Sequence, residues 1–294
     1  MAVTSPQQFR VSVDDRLRRE TGRPVNRRRT LLVMERFLTR VVTVAPTTFV
    51  LKGGLALELR LARARTTRDL DLRASGDPDQ MLAVLTAAAR LRPEPEDHID
   101  FTVVVNERPE SAGDGVRYDG RRFLITSSIA ARPFGDPFGV DIAIADPLLR
   151  EPDVLVGSDF FGRYGMQPLR MPAYPIPTHL AEKVHAYTLP RSKPNSRLKD
   201  LVDIALLSDT GGHRAAEIRQ AIALTFSFRA SHPPPTAMPD PPSEWPVPYQ
   251  KMRDEERLPW QALEDVIATA RAFLDPVLAG QDGEWDAGSR RWVP

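Results

Sequence analysis

Between residues 31 and 42, apolar side chains recur three and four positions apart, at Leu31, Met34, Phe37, Leu38, Val41 and Val42. That spacing keeps one face of a helix apolar, and Pro46 marks its stop. Residues 47–51 (TTFVL) are β-branched and aromatic, the texture of a short buried strand. Gly53 and Gly54 break the chain, and residues 55–64 resume helical character. In Asp69-Leu70-Asp71-Leu72, polar and apolar residues alternate, the period of a strand with one wet face. Residues 81–91 predict another helix. Further strands are expected at 101–106, 122–127 and 139–145, the last of them (GVDIAIA) alternating cleanly.

Beyond Pro177 the pattern becomes helical, with helices expected at 178–187, 197–207, 214–226 and 260–278. The eight prolines of residues 232–248 exclude a helix or central strand there and predict a long extended loop. Three regions follow: an N-terminal basic helical segment (1–45), an α/β domain (46–172) and a helical domain (173–294) that carries the Pro-rich loop. There is no internal repeat.

Length and composition fit this division. The 294 residues, 41% hydrophobic and 27% charged, suffice for one large or two modest cores. No apolar run approaches the roughly 20 residues a membrane-spanning helix needs, and no signal-peptide pattern opens the chain. A cytoplasmic protein with no membrane partner is the expectation. The absence of Cys excludes disulfides, thiolate catalysis and Cys-based zinc sites, and the five His form no H-E-x-x-H-like ligand pattern. The net charge of +1 conceals a basic beginning: residues 1–30 hold eight Arg against Asp14, Asp15 and Glu20. Such a segment suits either a nucleic-acid backbone or a solvated helix face.

The candidate chemistry lies in two adjacent segments. Leu51-Lys52-Gly53-Gly54 runs a strand into a Gly-Gly turn and a helix, where the backbone approaches a phosphate closely and the helix N-terminus offers free N–H groups. Asp69 and Asp71, two apart on a strand, project from one face. Paired oxygen ligands suit Mg²⁺, which takes one or two carboxylates together with substrate phosphates. Such an ion neutralises charge during phosphoryl transfer.

The order and spacing resemble the G-G…D-x-D signature of polymerase β-like nucleotidyltransferases. More narrowly, the chain resembles the AbiEii-type nucleotidyltransferase toxins, on four motifs. These are Leu51-Lys52-Gly53-Gly54-Leu55-Ala56-Leu57; Arg65-Thr66-Thr67-Arg68-Asp69-Leu70-Asp71; Glu182-Lys183-Val184-His185-Ala186; and Arg197-Leu198-Lys199-Asp200-Leu201-Val202-Asp203. Leu55 departs from the Thr or Ser usual in relatives. The resemblance implies the α+β class, with a polymerase β-like nucleotidyltransferase domain (a mixed sheet with helices) and a C-terminal helical domain.

It also implies residue roles. Asp69 and Asp71 would ligate Mg²⁺, and Asp141 would complete the carboxylates as the base, with Asp146 its neighbouring competitor. Lys183 would meet the triphosphate. Asp200 or Asp203, which share a helix face, would orient Lys183 or the nucleotide. Lys52, Gly53, Gly54, Arg65, Thr66 and Thr67 would complete the nucleotide-binding set. His185 reads as a packing residue. The implied activity is Mg²⁺-dependent transfer of a nucleoside monophosphate from an NTP to an RNA acceptor, a tRNA 3′ end, with a separately encoded antitoxin as partner. Two alternatives stay open: modification of a protein Ser, Thr or Tyr, and a non-catalytic member that binds nucleotide or RNA.

Overall fold

The computed structural model describes residues 5–20, 24–61, 67–106, 120–144, 147–192 and 194–294. The chain begins with α1 (Pro6–Arg19), started by Ser5, whose hydroxyl accepts from the Gln8 N–H. Phe9, Val13 and Leu17, four apart, form its buried face. α2 (Val25–Val44) buries nearly its whole circumference, including Arg36 and Arg40. Both guanidinium groups donate to Asp97, itself 0% exposed, which makes these buried charges tolerable.

The basic beginning of the chain is not a free arm. Arg10 donates to the carbonyls of Ile129 and Arg132, Arg16 stacks over the Phe160 ring at 4.2 Å, and Arg29 pairs with Asp14 at 2.8 Å. Arg10 thus fastens α1 to the sheet, Arg16 holds it against the 3₁₀ turn Asp159–Tyr164, and Arg29 ties α2 to α1.

The remaining elements of the first half are β1 (Phe49–Lys52), α3 (Gly53–Arg60), β2 (Asp69–Ala74), α4 (Met81–Arg90), β3 (Asp100–Val105) and β4 (Gly120–Ile129). They continue with β5 (Arg132–Pro133), β6 (Phe138–Ile144), β7 (Asp153–Val156) and β8 (Arg170–Ala173). The strands form a mixed sheet ordered β3-β4-β6-β2-β1-β8-β7, with β5 hairpinned onto β4. β2 runs parallel to β6 and antiparallel to β1, while β4 lies antiparallel to β6. On β2 the alternation holds: Leu70, Leu72 and Ala74 are buried beneath the half-buried Asp69, Asp71 and Arg73.

The second half consists of α5 (Ile176–Thr188), α6 (Leu198–Ser208), β9 (His213–Arg214), α7 (Ala215–Arg229), α8 (Pro246–Glu256) and α9 (Leu263–Leu278), then β10 (Glu284–Asp286) and β11 (Arg291–Val293). Among the described residues no helix is long and apolar enough to cross a membrane. One hydrophobic core joins α1, α2, α4 and the sheet, and a second joins the C-terminal helices. α3 contributes to both, Leu55 and Ala56 to the first and Leu57 to the second, so it couples the sheet to the helical half.

Strands β5, β7 and β8 have no counterpart in the sequence reading, and two further features depart from it. The Pro-rich stretch is not loop throughout, because Pro246 and Pro248 open α8. The first turn of a helix has no intrahelical use for its N–H groups, so proline is tolerated there. The C-terminal half also carries a small antiparallel sheet, β11-β10-β9, whose Trp285 and Trp292 pack against Phe273 on α9. Strands of two or three residues are too short to show a period in sequence.

Candidate active site

β1 delivers Lys52 to the end of the sheet, and the chain turns at once into α3. Gly53 makes this turn with φ of +64°, a left-handed conformation, and a side chain there would overlap the Asp71 carboxylate. A methyl group at Gly54 would stand 2.6 Å from the Thr67 hydroxyl oxygen. The glycine pair therefore lets α3 begin in contact with the residues on and before β2. Thr67 is buried and donates to the carbonyl of Asp69 at 3.0 Å, which secures the entry to that strand.

Four charged residues follow one another across neighbouring strands in a single lateral row. Lys52 on β1 is opposite Asp71 on β2, Asp71 is opposite Asp141 on β6, and Asp141 is opposite Arg122 on β4. Asp69 lies on the same face of β2, one pleat from Asp71. Arg122 bridges the outer carboxylates, reaching Asp69 Oδ1 at 3.1 Å and Asp141 Oδ2 at 3.2 Å. Asp71 sits deepest: loss of hydration pushes its carboxyl up, Lys52 and Lys183 oppose that, and Asp141 and Asp69 add to it.

α5 closes the site from the helical side. Lys183 Nζ lies 2.7 Å from Asp200 Oδ1 and 2.8 Å from Asp203 Oδ2, both on α6. Glu182 accepts at one oxygen from Lys52 (3.0 Å) and from Arg229 at the end of α7 (2.7 Å). His179, one turn before Lys183, is 0% exposed, and neither ring nitrogen finds a partner among the described residues. Burial, with Lys183 close by, holds its pKa well below the ordinary 6.5, so the ring is neutral.

These elements surround a cleft of about 950 Å³ between the sheet and the helical half. Lys52, Gly53, Gly54, Thr67, Asp69, Asp71, Asp141, Lys183 and Asp200 all line it. Asp203 is not on its wall; fully buried, it contacts Lys183 from behind. Leu55 is absent from the wall as well and packs in the first core, so position 55 does not address the cleft. Arg65, Thr66 and Asp146 lie outside the described residues. His185 packs against Phe226 and meets Ser231 at 2.8 Å, away from the cleft.

The sequence reading missed Arg122, Arg229 and His179, and gave Glu182 no role. Glu182 was visible as half of an E-K pair. Arg122 carries a signal only once the register of β4 against β6 is known. Among the described residues no group of three or more acidic or imidazole side chains is placed to hold a metal ion by itself. The carboxylates of Asp69, Asp71 and Asp141 instead form an open, oxygen-only face. That donor chemistry fits a hard divalent cation completed by substrate oxygens.

A mixed sheet bearing paired carboxylates beside a glycine turn, capped by a helical half that supplies lysine, is the architecture of a nucleotidyltransferase, and this chain is one. It belongs to the family of AbiEii nucleotidyltransferase toxins of type IV toxin–antitoxin systems, whose model matches residues 36–274. Membership implies an NTP substrate and an antitoxin partner. Among solved structures it is similar to MenT4, a nucleotidyltransferase toxin from Mycobacterium tuberculosis, with 17% identity and a TM-score of 0.60 over 96% of this chain and 92% of that one. JHP933 from Helicobacter pylori is more distant, at 15% identity and a TM-score of 0.46 over 87% and 92%. No curated protein matches the chain in sequence.

Proposed function

We propose that this enzyme transfers a nucleoside monophosphate from an NTP to an RNA hydroxyl, the tRNA 3′ end, in the cytoplasm, and that its antitoxin restrains this activity. The acceptor oxygen forms a bond to the α-phosphorus, the bond from that phosphorus to the bridging oxygen of the β-phosphate breaks, and pyrophosphate leaves. The hydroxyl proton passes to Asp141, a partly exposed carboxylate on the cleft wall beside Asp71. Asp69 and Asp71 would hold Mg²⁺, which when bound supplies charge neutralisation at the phosphates.

Lys183 is held as a fixed point charge by Asp200 and Asp203, so it meets the triphosphate without first losing side-chain freedom. Lys52 and Arg229, tied together through Glu182, add positive charge on the same wall. Gly53 and Gly54 begin α3 and line the cleft, so the N–H groups of this first turn would be available to a phosphate.

The observation that carries this reading is the lateral row of Lys52, Asp71, Asp141 and Arg122 with Lys183 above it. Incubating the protein with each α-labelled NTP, Mg²⁺ and total tRNA tests it. Label should enter RNA with at least one nucleotide. Label found in protein would favour a Ser, Thr or Tyr acceptor, and no label in either would remove the reading.

A further inference from the structure

Arg122 is a cation seated where a divalent ion is expected. Its two terminal nitrogens reach Asp69 Oδ1 and Asp141 Oδ2, the carboxylates at the open end of the row. Room for this arrangement comes from Gly139 on β6, where a side chain would stand 2.5 Å from Asp69 Oδ1 and 3.0 Å from an Arg122 nitrogen. The seat is incomplete, because Arg122 Nε is buried and finds no partner among the described residues. A buried donor left unsatisfied weakens the bound arrangement. The side chain is nevertheless 30% exposed and borders the cleft, so it has a path outward.

We propose that Arg122 is a resident counter-cation: it neutralises Asp69 and Asp141 in the ion-free enzyme and is exchanged for the divalent ion when that ion binds. Neighbouring carboxylates repel one another, and a guanidinium across them relieves this at the stage when no ion is present. A doubly charged ion on Asp69 and Asp71, beside Asp141, makes the guanidinium superfluous and repels it. The freed group then faces the cleft as a planar donor of the kind that pairs with phosphate. Arrival of the ion and exposure of an anion site are thus one event, which keeps the cleft from binding polyphosphate tightly before the ion is present. This inference rests on the assignment of Asp69 and Asp71 to the ion.

The test is calorimetric titration with Mn²⁺ of the full chain and of Arg122→Gln, Arg122→Lys and Arg121→Gln. Exchange predicts that Arg122→Gln, which leaves no guanidinium to displace, binds Mn²⁺ about tenfold more tightly than the wild type, the equivalent of one charge-assisted contact no longer broken. It also predicts a lower melting temperature for this variant in EDTA. Arg122→Lys keeps the charge but cannot span two carboxylates, so it should also bind more tightly. Arg121 borders the same cleft but pairs with Asp79 at its rim, so its loss should change affinity by no more than about twofold. Equal or weaker Mn²⁺ binding by Arg122→Gln overturns the exchange alone. If no protein in the set binds Mn²⁺, the assignment of the carboxylates falls with it. Should Arg122→Gln fail to fold, nitrogen–proton NMR of the arginine side chains in the wild type decides: an Arg122 signal unmoved by saturating Mg²⁺ overturns the exchange.

Discussion

Asp71 and Asp141 stand directly opposite each other on adjacent parallel strands, so two carboxylates confront one another across a single strand spacing of about 4.8 Å. Nothing in folding favours that arrangement. Like charges at such a spacing repel, and hydration lost around Asp71 adds to the penalty. The row is tolerated because Lys52 and Arg122 close it at either end.

Removing charge from this row should therefore abolish activity without unfolding the protein. Asp69→Asn is expected to lose all detectable transfer, and Asp141→Asn to fall by on the order of 10²–10⁴ if it takes the acceptor proton. Melting temperatures should stay within a few degrees of the wild type. A variant that melts far lower while retaining proportional activity would assign these carboxylates to structure.

Glu182 joins Lys52 and Arg229 through one carboxylate oxygen. Without it the two cations lose their common anchor and repel one another. Glu182→Ala should raise KM for the NTP by about tenfold, equivalent to one lost charge-assisted hydrogen bond. Glu182→Gln should recover part of this, and kcat should change less than KM. A change confined to kcat would contradict a positioning role.

Much of this was legible in the sequence, and the reasons differ by residue. Asp69 and Asp71 declared a shared face through period-two alternation alone, because the buried partners Leu70 and Leu72 lie between and after them. Asp200 and Asp203 declared a shared helix face through their spacing, and both do meet Lys183. Arg122 was invisible, since its meaning depends on lateral pairing with strands 19 and 53 residues away in register with Asp141 and bonded to Asp69. α8 was hidden by prolines that are unfavourable in a helix everywhere except its first turn. The arginines before residue 30 looked available because sequence does not show that carbonyls of β4 and β5 receive one of them.

Gly53 should tolerate no side chain. Its left-handed backbone alone disfavours alanine by about 1–2 kcal/mol, and the methyl group would push on Asp71. Gly53→Ala is expected to lower the urea midpoint and to eliminate transfer together. A variant with wild-type stability and activity would show that the turn relaxes freely.

Glu35 on α2 makes stability depend on pH. Its carboxyl is buried, accepts from the Ser158 N–H at 2.7 Å, and is pushed up from 4.5 to about 7 by lost hydration. The folded state therefore holds a proton that the unfolded chain releases at lower pH. The resulting stabilisation is complete below about pH 4.5 and is lost as pH rises through about 7. Over that window the change is on the order of 3 kcal/mol, at 1.36 kcal/mol per pH unit. Urea denaturation of the wild type and Glu35→Gln between pH 5 and pH 8 should show the difference shrinking for the amide, which has no charge to bury. Identical slopes for the two proteins would refute the shift.

Paired aspartates on this sheet are proposed to drive addition of a nucleotide to RNA. The most direct test is mass analysis of tRNA 3′ ends from growing cells after brief expression of the wild type or Asp69→Asn. With the wild type the tRNAs should be extended by nucleotide units, and with the variant their ends should stay unextended. Unmodified ends in both samples, or equal extension by both, would contradict this role for the aspartates.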